Sequence, residues 1–138
     1  MFPERPGSGR AGSSEKMRVA LTYNLKKEIG EAEGLPEDFY AECDDPETVE
    51  AVRDALKERH GDIVMVEADE DAFEKFRALR PDIVFNMAEG VWGDSRESQI
   101  PSILEMLRIP YTGSNPLTLA MCLNKARAKE ILSYYGIP

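Results

Sequence analysis

Three segments of this 138-residue chain hold residues whose types and spacing could do chemistry. The first is Asn86-Met87-Ala88-Glu89-Gly90-Val91-Trp92-Gly93-Asp94, which sets a carboxylate between an apolar run and a glycine and carries the only Trp. Glycine lets a backbone approach a ligand closely, and Glu89 could hold an ammonium or a hydroxyl group. An ordinary tight connection with an exposed Glu has the same sequence. The second is Tyr111-Thr112-Gly113-Ser114-Asn115-Pro116, a hydroxyl-rich turn running into a helix start. Free N–H groups at such a start favour anions, and helix capping alone accounts for the same residues. The third is Asn124-Lys125-Ala126-Arg127-Ala128-Lys129. Cations in a first helical turn oppose the helix dipole, at about 0.3–1 kcal/mol each. A local rule broken without compensation marks a candidate site, and Lys125 beside the cap suits a phosphate. Tolerated surface charge is the plainer account.

Other chemistries are excluded by what is missing. Two cysteines and one histidine, with no CxxC or HxxxH pair, do not make a zinc site. Cys43 and Cys122 read as free thiols in a reducing cytoplasm, with Cys122 expected in the core among apolar neighbours. Neither GxGxxG nor GxxxxGK[ST] is present, so the common dinucleotide and P-loop sites are unsupported. The net charge is −9, and Lys and Arg form no stripe, which argues against nucleic acid. The acid excess is local: Glu28 to Glu58 holds twelve Asp or Glu against Arg53 and Lys57. Such a run reads as a solvated face with a loop. No apolar run approaches the roughly 20 residues that span a bilayer, and no secretory signal opens the chain. A cytoplasmic location is therefore expected, with no membrane partner.

The elements that must position these segments alternate. Residues 1–16 are rich in Gly, Pro and Ser and are expected to be a disordered tail; residues 17–138 form the domain. Met17–Tyr23, Asp62–Val66, Asp82–Asn86 and Ile109–Thr112 are short apolar runs that predict four strands. Asp45-Pro46 and Asn115-Pro116 have the form of a cap followed by proline at the first helical position. Asp94 with Glu97 has the form of a capping box, and Ile100, Ile103, Leu104 and Leu107 follow at helical spacing. Asn124 is expected to cap a last helix with Ala128, Ile131, Leu132 and Tyr135 on its inner face. Continuous apolar strands between helices predict an α/β fold with three layers and a mostly parallel, four-stranded, Rossmann-like sheet. Ligands bind such sheets beyond the carboxyl ends of the strands, which are Tyr23-Asn24, Glu67-Ala68, Asn86–Gly90 and Thr112–Asn115.

The run VFNMAEGVWGDSRESQIPSILEMLRIPYTGSNPLTLAMCLNKARAKEILSYYGIP, Val84 to Pro138, resembles the D-alanine–D-alanine ligase-like ATP-grasp enzymes. Ile109-Pro110-Tyr111-Thr112-Gly113-Ser114 and the Lys125–Lys129 pair are its most specific pieces. The resemblance implies the first, pre-ATP-grasp domain of a three-domain enzyme, with the ATP-grasp core absent from this chain. It implies a reaction using ATP and Mg²⁺, in which a carboxylate becomes an acyl phosphate and an amine attacks it. The substrates would be small amino acids or carboxylates, and the enzyme a homodimer through this domain. Lys125 would face ATP phosphates. Glu89, Gly90, Glu28 and Ser114 would face substrate, Glu28 as the carboxylate for its ammonium. Glu89 stands where the family has the His of a His-Gly pair, and Asn124 where it has Asp. A related ligase with another acid substrate fits these departures. A free-standing, non-catalytic α/β binding or regulatory module is the alternative from another class.

Overall fold

The computed structural model describes residues 17–25 and 43–138. Residues 1–16, and 26–42 with Glu28, lie outside the described residues.

The first strand, β1 (Val19–Tyr23), is the centre of the sheet, and four of its five residues are buried. Helix α1 (Pro46–His60) follows, then β2 (Ile63–Glu67), α2 (Ala72–Leu79) and β3 (Ile83–Asn86). Both neighbours pair with β1 in parallel, Leu21 standing between Met65 and Phe85, so the strand order is β2-β1-β3. The crossover from β1 to β2 and the one from β2 back past β1 to β3 run in opposite directions across the sheet. With right-handed crossovers this puts their helices on opposite faces. Alternation along the strands agrees. Ala20, Val66 and Val84 share one face with Ala72 and Phe76 of α2, whereas Leu21 is buried on the other. Helix α1 packs on β1 and β2 and buries Val49.

A single 3₁₀ turn (Arg96–Ser98) leads into α3 (Gln99–Leu107), which closes the core with Ile100, Leu104 and Leu107. Pro101, the third residue of α3, lies in its first turn, where a missing N–H costs nothing. Helices α4 (Pro116–Leu123) and α5 (Lys125–Tyr134) follow, α4 resting on the 3₁₀ turn and on α5.

Several expectations are corrected. Among the described residues the sheet has three strands, not four. Ile109–Thr112 contributes only a parallel bridge between Tyr111 and Val84. Val84 N–H donates to Pro110 O and Thr112 N–H donates to Val84 O, and the pairing goes no further. Pro110 has no N–H to extend a ladder, and Gly113 at φ +97° turns the chain away. The capping box fails as well, because neither the 3₁₀ turn nor α3 has a side-chain cap. The chain enters by backbone bonds instead, Arg96 N–H to Gly93 O and Ser98 N–H to Ser95 O.

Asn115 and Asn124 do cap, accepting from Thr118 N–H at 2.9 Å and Arg127 N–H at 3.1 Å. Asp45 occupies the cap position of α1 ahead of Pro46, but its side chain makes no cap bond. Cys122 is exposed rather than core. No residue of α4 or α5 is buried, and Leu117, Leu132, Tyr134 and Tyr135 are exposed, so the expected inner face of α5 is uncovered by described residues. No described helix is long and apolar enough to cross a membrane.

Candidate functional site

The sheet order reverses direction at β1, so the carboxyl ends of β1 and β3 border the switch point. Loops there diverge and leave a crevice. A cleft of about 590 Å³ lies at this end of the sheet. It is lined by Asn24 and Leu25 after β1, by Glu67 to Asp71 after β2, by Gly90, Val91 and Trp92 after β3, and by Ile100 and Ile103 of α3. Its size suits a small-molecule site.

Asn24 holds these loops together. It is 3% exposed, so its amide must find partners inside the protein. Its Nδ2 donates to Ala68 O at 3.0 Å, and its Oδ1 accepts from Gly90 N–H at 2.8 Å. Its backbone N–H meets Asp44 Oδ2 at 3.3 Å, and its carbonyl accepts from Asp44 N–H at 2.6 Å. Beneath Asn24, on the same face of the sheet, lies Thr22, whose register partner is Asn86. Thr22 Oγ1 and Asn86 Oδ1 are buried without a hydrogen bond. Unpaired buried polar atoms cost about 1–3 kcal/mol each, and folds tolerate such costs chiefly at functional sites.

The loop after β3 is fixed by glycine chemistry. Gly90 has φ +74°, and a Cβ there would lie 2.5 Å from the Arg96 carbonyl oxygen. Trp92 is 65% exposed, and its carbonyl accepts from Gln99 Nε2 at 2.8 Å. The cleft is acidic: Glu67, Asp69, Glu70 and Asp71 line it, and none of its described lining residues is Lys or Arg. Lys75, on α2, contacts Asp69 at 2.6 Å, and that bond raises the lysine pKa. The Tyr23 phenol is pushed up by burial first and then by Glu67. Burial raises the Asp44 carboxyl, opposed by the Asn24 N–H. Such an environment favours a cationic group over an anion.

The expected site residues do not all meet here. Gly90 lines the cleft; Glu89 is exposed and stands outside the lining. Ser114 is exposed on the turn between Gly113 and the Asn115 cap. That turn is tied to β3 through Asn86 N–H, which donates to Thr112 Oγ1 at 3.0 Å. Beside it the Tyr111 hydroxyl donates to Glu105 at 3.0 Å, and burial and this bond push its pKa up to about 12. Lys125 is exposed at the first position of α5, directly after the capping Asn124. Among the described residues no cluster of His, Cys, Asp or Glu is arranged to hold a metal ion.

Over 84 residues the chain is 38% identical to a D-alanine–D-alanine ligase of Ruegeria pomeroyi, a match taking in 61% of this chain and 27% of the relative. The corresponding ligase of Beijerinckia indica is 38% identical over 88 residues, covering 64% of this chain and 28% of its own length. In fold, the D-alanine–D-alanine ligase of Bacillus anthracis, solved with ATP, matches with a TM-score of 0.60 at 23% identity. That match covers 89% of this chain and 36% of the solved one. The chain is similar to part of the D-alanine–D-alanine ligases. No family model matches it. It spans about a quarter of the length of these curated ligases.

The residue patterns shared with D-alanine–D-alanine ligase pointed to the loop after β3 and to the two capped helix starts. The strand-end rule placed Tyr23-Asn24 and Glu67-Ala68 at the ligand-binding edge, but nothing in the sequence singled out the bridging role of the Asn24 side chain. Asn24 ends an apolar run as a single polar residue, and its partners lie 44 and 66 positions away. A polar residue closing a strand next to a switch point was the available signal.

Proposed function

We propose that this domain is the substrate-facing part of an ATP-dependent carboxylate–amine ligase of the D-alanine–D-alanine ligase type. The observation that carries the reading is the acidic cleft at the switch point, built on the Gly90 loop within a chain similar to those ligases. Glu67, Glu70 and Asp71 at its wall, with Asp69 paired to Lys75, leave an acid excess that favours the ammonium group of an amino acid. ATP would transfer its γ-phosphoryl group to a substrate carboxylate, releasing ADP, and amine attack on the acyl phosphate would form the amide and expel phosphate and a proton.

The chain's own part in that reaction is binding and orientation. Asn24 and Gly90 shape the floor, and Trp92 forms the rim. Glu89, on the loop after β3, and Ser114, on the turn after Thr112, stand outside the cleft lining and would meet only a part of the substrate that extends beyond it; Glu28 would supply a further carboxylate. Lys125, at an exposed helix start, offers a cation and free N–H groups to a phosphate. The described residues do not fit Mg²⁺, since they form no metal-ligand cluster.

The test is Lys125→Ala in the full-length ligase. A charge-assisted contact is worth about 1.5–3 kcal/mol, so KM for ATP should rise by about tenfold or more, since about 1.4 kcal/mol is a factor of ten. Thermal stability should barely change, because Lys125 is exposed. Unchanged nucleotide kinetics would overturn this placement of ATP.

A further inference from the structure

We propose that Asn24 is the positioning residue of the cleft, locking the loops after β2 and β3 into one body. The proposal rests on reading the cleft as the substrate site. One side chain spans both loops: Nδ2 donates to Ala68 O at 3.0 Å, and Oδ1 accepts from Gly90 N–H at 2.8 Å. The two bonds use opposite ends of the amide, so only a side chain with a donor and an acceptor can make both. Asn24 also ties to Asp44, the residue before the Asp45 cap position of α1. Leu25 and Asp44 form a parallel bridge, and the Asn24 backbone exchanges bonds with Asp44. The acidic wall, the Gly90–Trp92 loop and the Leu25–Asp44 bridge therefore meet on one residue.

Burial strengthens the argument. A side chain 3% exposed can take few of its partners from bulk water. Losing either bond leaves a polar atom unsatisfied inside the protein. The loops are thus held in a fixed relation without occupying the cleft with a large side chain. Asn24 shapes the site through Gly90 and Ala68, and other residues meet the substrate.

Two variants separate the bonds. Asn24→Ala removes both. Asn24→Asp keeps an acceptor for Gly90 N–H and removes the donor to Ala68 O. Amide hydrogen exchange is measured on the 138-residue chain, with Leu21 and Leu104 reporting global opening. In Asn24→Ala, Gly90 exchange should accelerate by about two- to tenfold beyond the change at Leu21, as expected for one lost hydrogen bond. In Asn24→Asp, Gly90 should stay within twofold of the parent after the same correction. In the full-length ligase, Asn24→Ala should raise KM for the amino acid several-fold while KM for ATP stays within twofold.

Gly90 exchange that follows Leu21 in Asn24→Ala overturns the locking role itself. Accelerated Gly90 exchange with an unchanged amino-acid KM overturns the substrate-site reading, and the proposal with it. A rise in both KM values alike reduces Asn24 to a structural residue and also overturns it.

Discussion

Gly90→Ala should destabilise the domain by about 2–4 kcal/mol, as strain and a broken buried hydrogen bond combine. Two causes act at one position. The backbone has φ +74°, a region that alanine enters at a cost of about 1 kcal/mol or more. The added Cβ would also sit 2.5 Å from the Arg96 carbonyl oxygen and 2.8 Å from its carbon. These are backbone atoms, so the contact cannot be relieved by a side-chain rotation. The loop must move, and the Gly90 N–H bond to Asn24 goes with it. Asn24 Oδ1 is then left buried without a partner. Gly113→Ala is the control: φ is +97°, but nothing lies within 4 Å of the new Cβ. It should cost about 1–2 kcal/mol, the conformational part alone. Urea unfolding of the two variants checks the difference. Equal midpoints would mean that the Arg96 contact has no weight in the folded protein.

Phe76→Ala should cost about 3–5 kcal/mol, the usual range for deleting a buried aromatic ring. Phe76 has no exposed surface and sits in the core with Ala20, Val66, Val84 and Leu104. It joins α2 to the sheet face that underlies the cleft. Whole domains are stable by about 5–15 kcal/mol, so this one change removes a large share. Phe73 is the comparison, since it packs at the edge of the same cluster and is only partly buried. Phe73→Ala should cost about half as much, because the buried area lost is smaller. A loss below about 1.5 kcal/mol for Phe76→Ala, well under the usual cavity range, would contradict its place at the centre of the core.

Most elements could be read from sequence because their signals are local. Asn115-Pro116 and Asn124 announced helix starts, and both asparagines accept the expected bond. The apolar runs Met17–Tyr23 and Asp82–Asn86 became the central strand Val19–Tyr23 and its neighbour Ile83–Asn86. The fourth run misled because Ile109-Pro110-Tyr111-Thr112 is apolar and short, and periodicity does not register that Pro110 lacks an N–H. Helix α4 misled in another way. PLTLAMCL is apolar nearly all round, so no stripe says which side faces inward, and Cys122 came out exposed. In the site, Gly90 was legible from composition around a strand end. Asn24 was legible as a strand end but not as the bridge between loops, because that role comes from three chain segments meeting in space. Glu28 lies outside the described residues.

The ligase reading stands or falls on turnover. The full-length polypeptide that carries this domain should be given ATP, Mg²⁺ and a panel of D-amino acids, and its ADP release measured. ADP formation that depends on a D-amino acid, with a dipeptide or related amide as product, is the result this account predicts. ATP hydrolysis indifferent to every amino acid, or no ATP use by the folded protein, would contradict it.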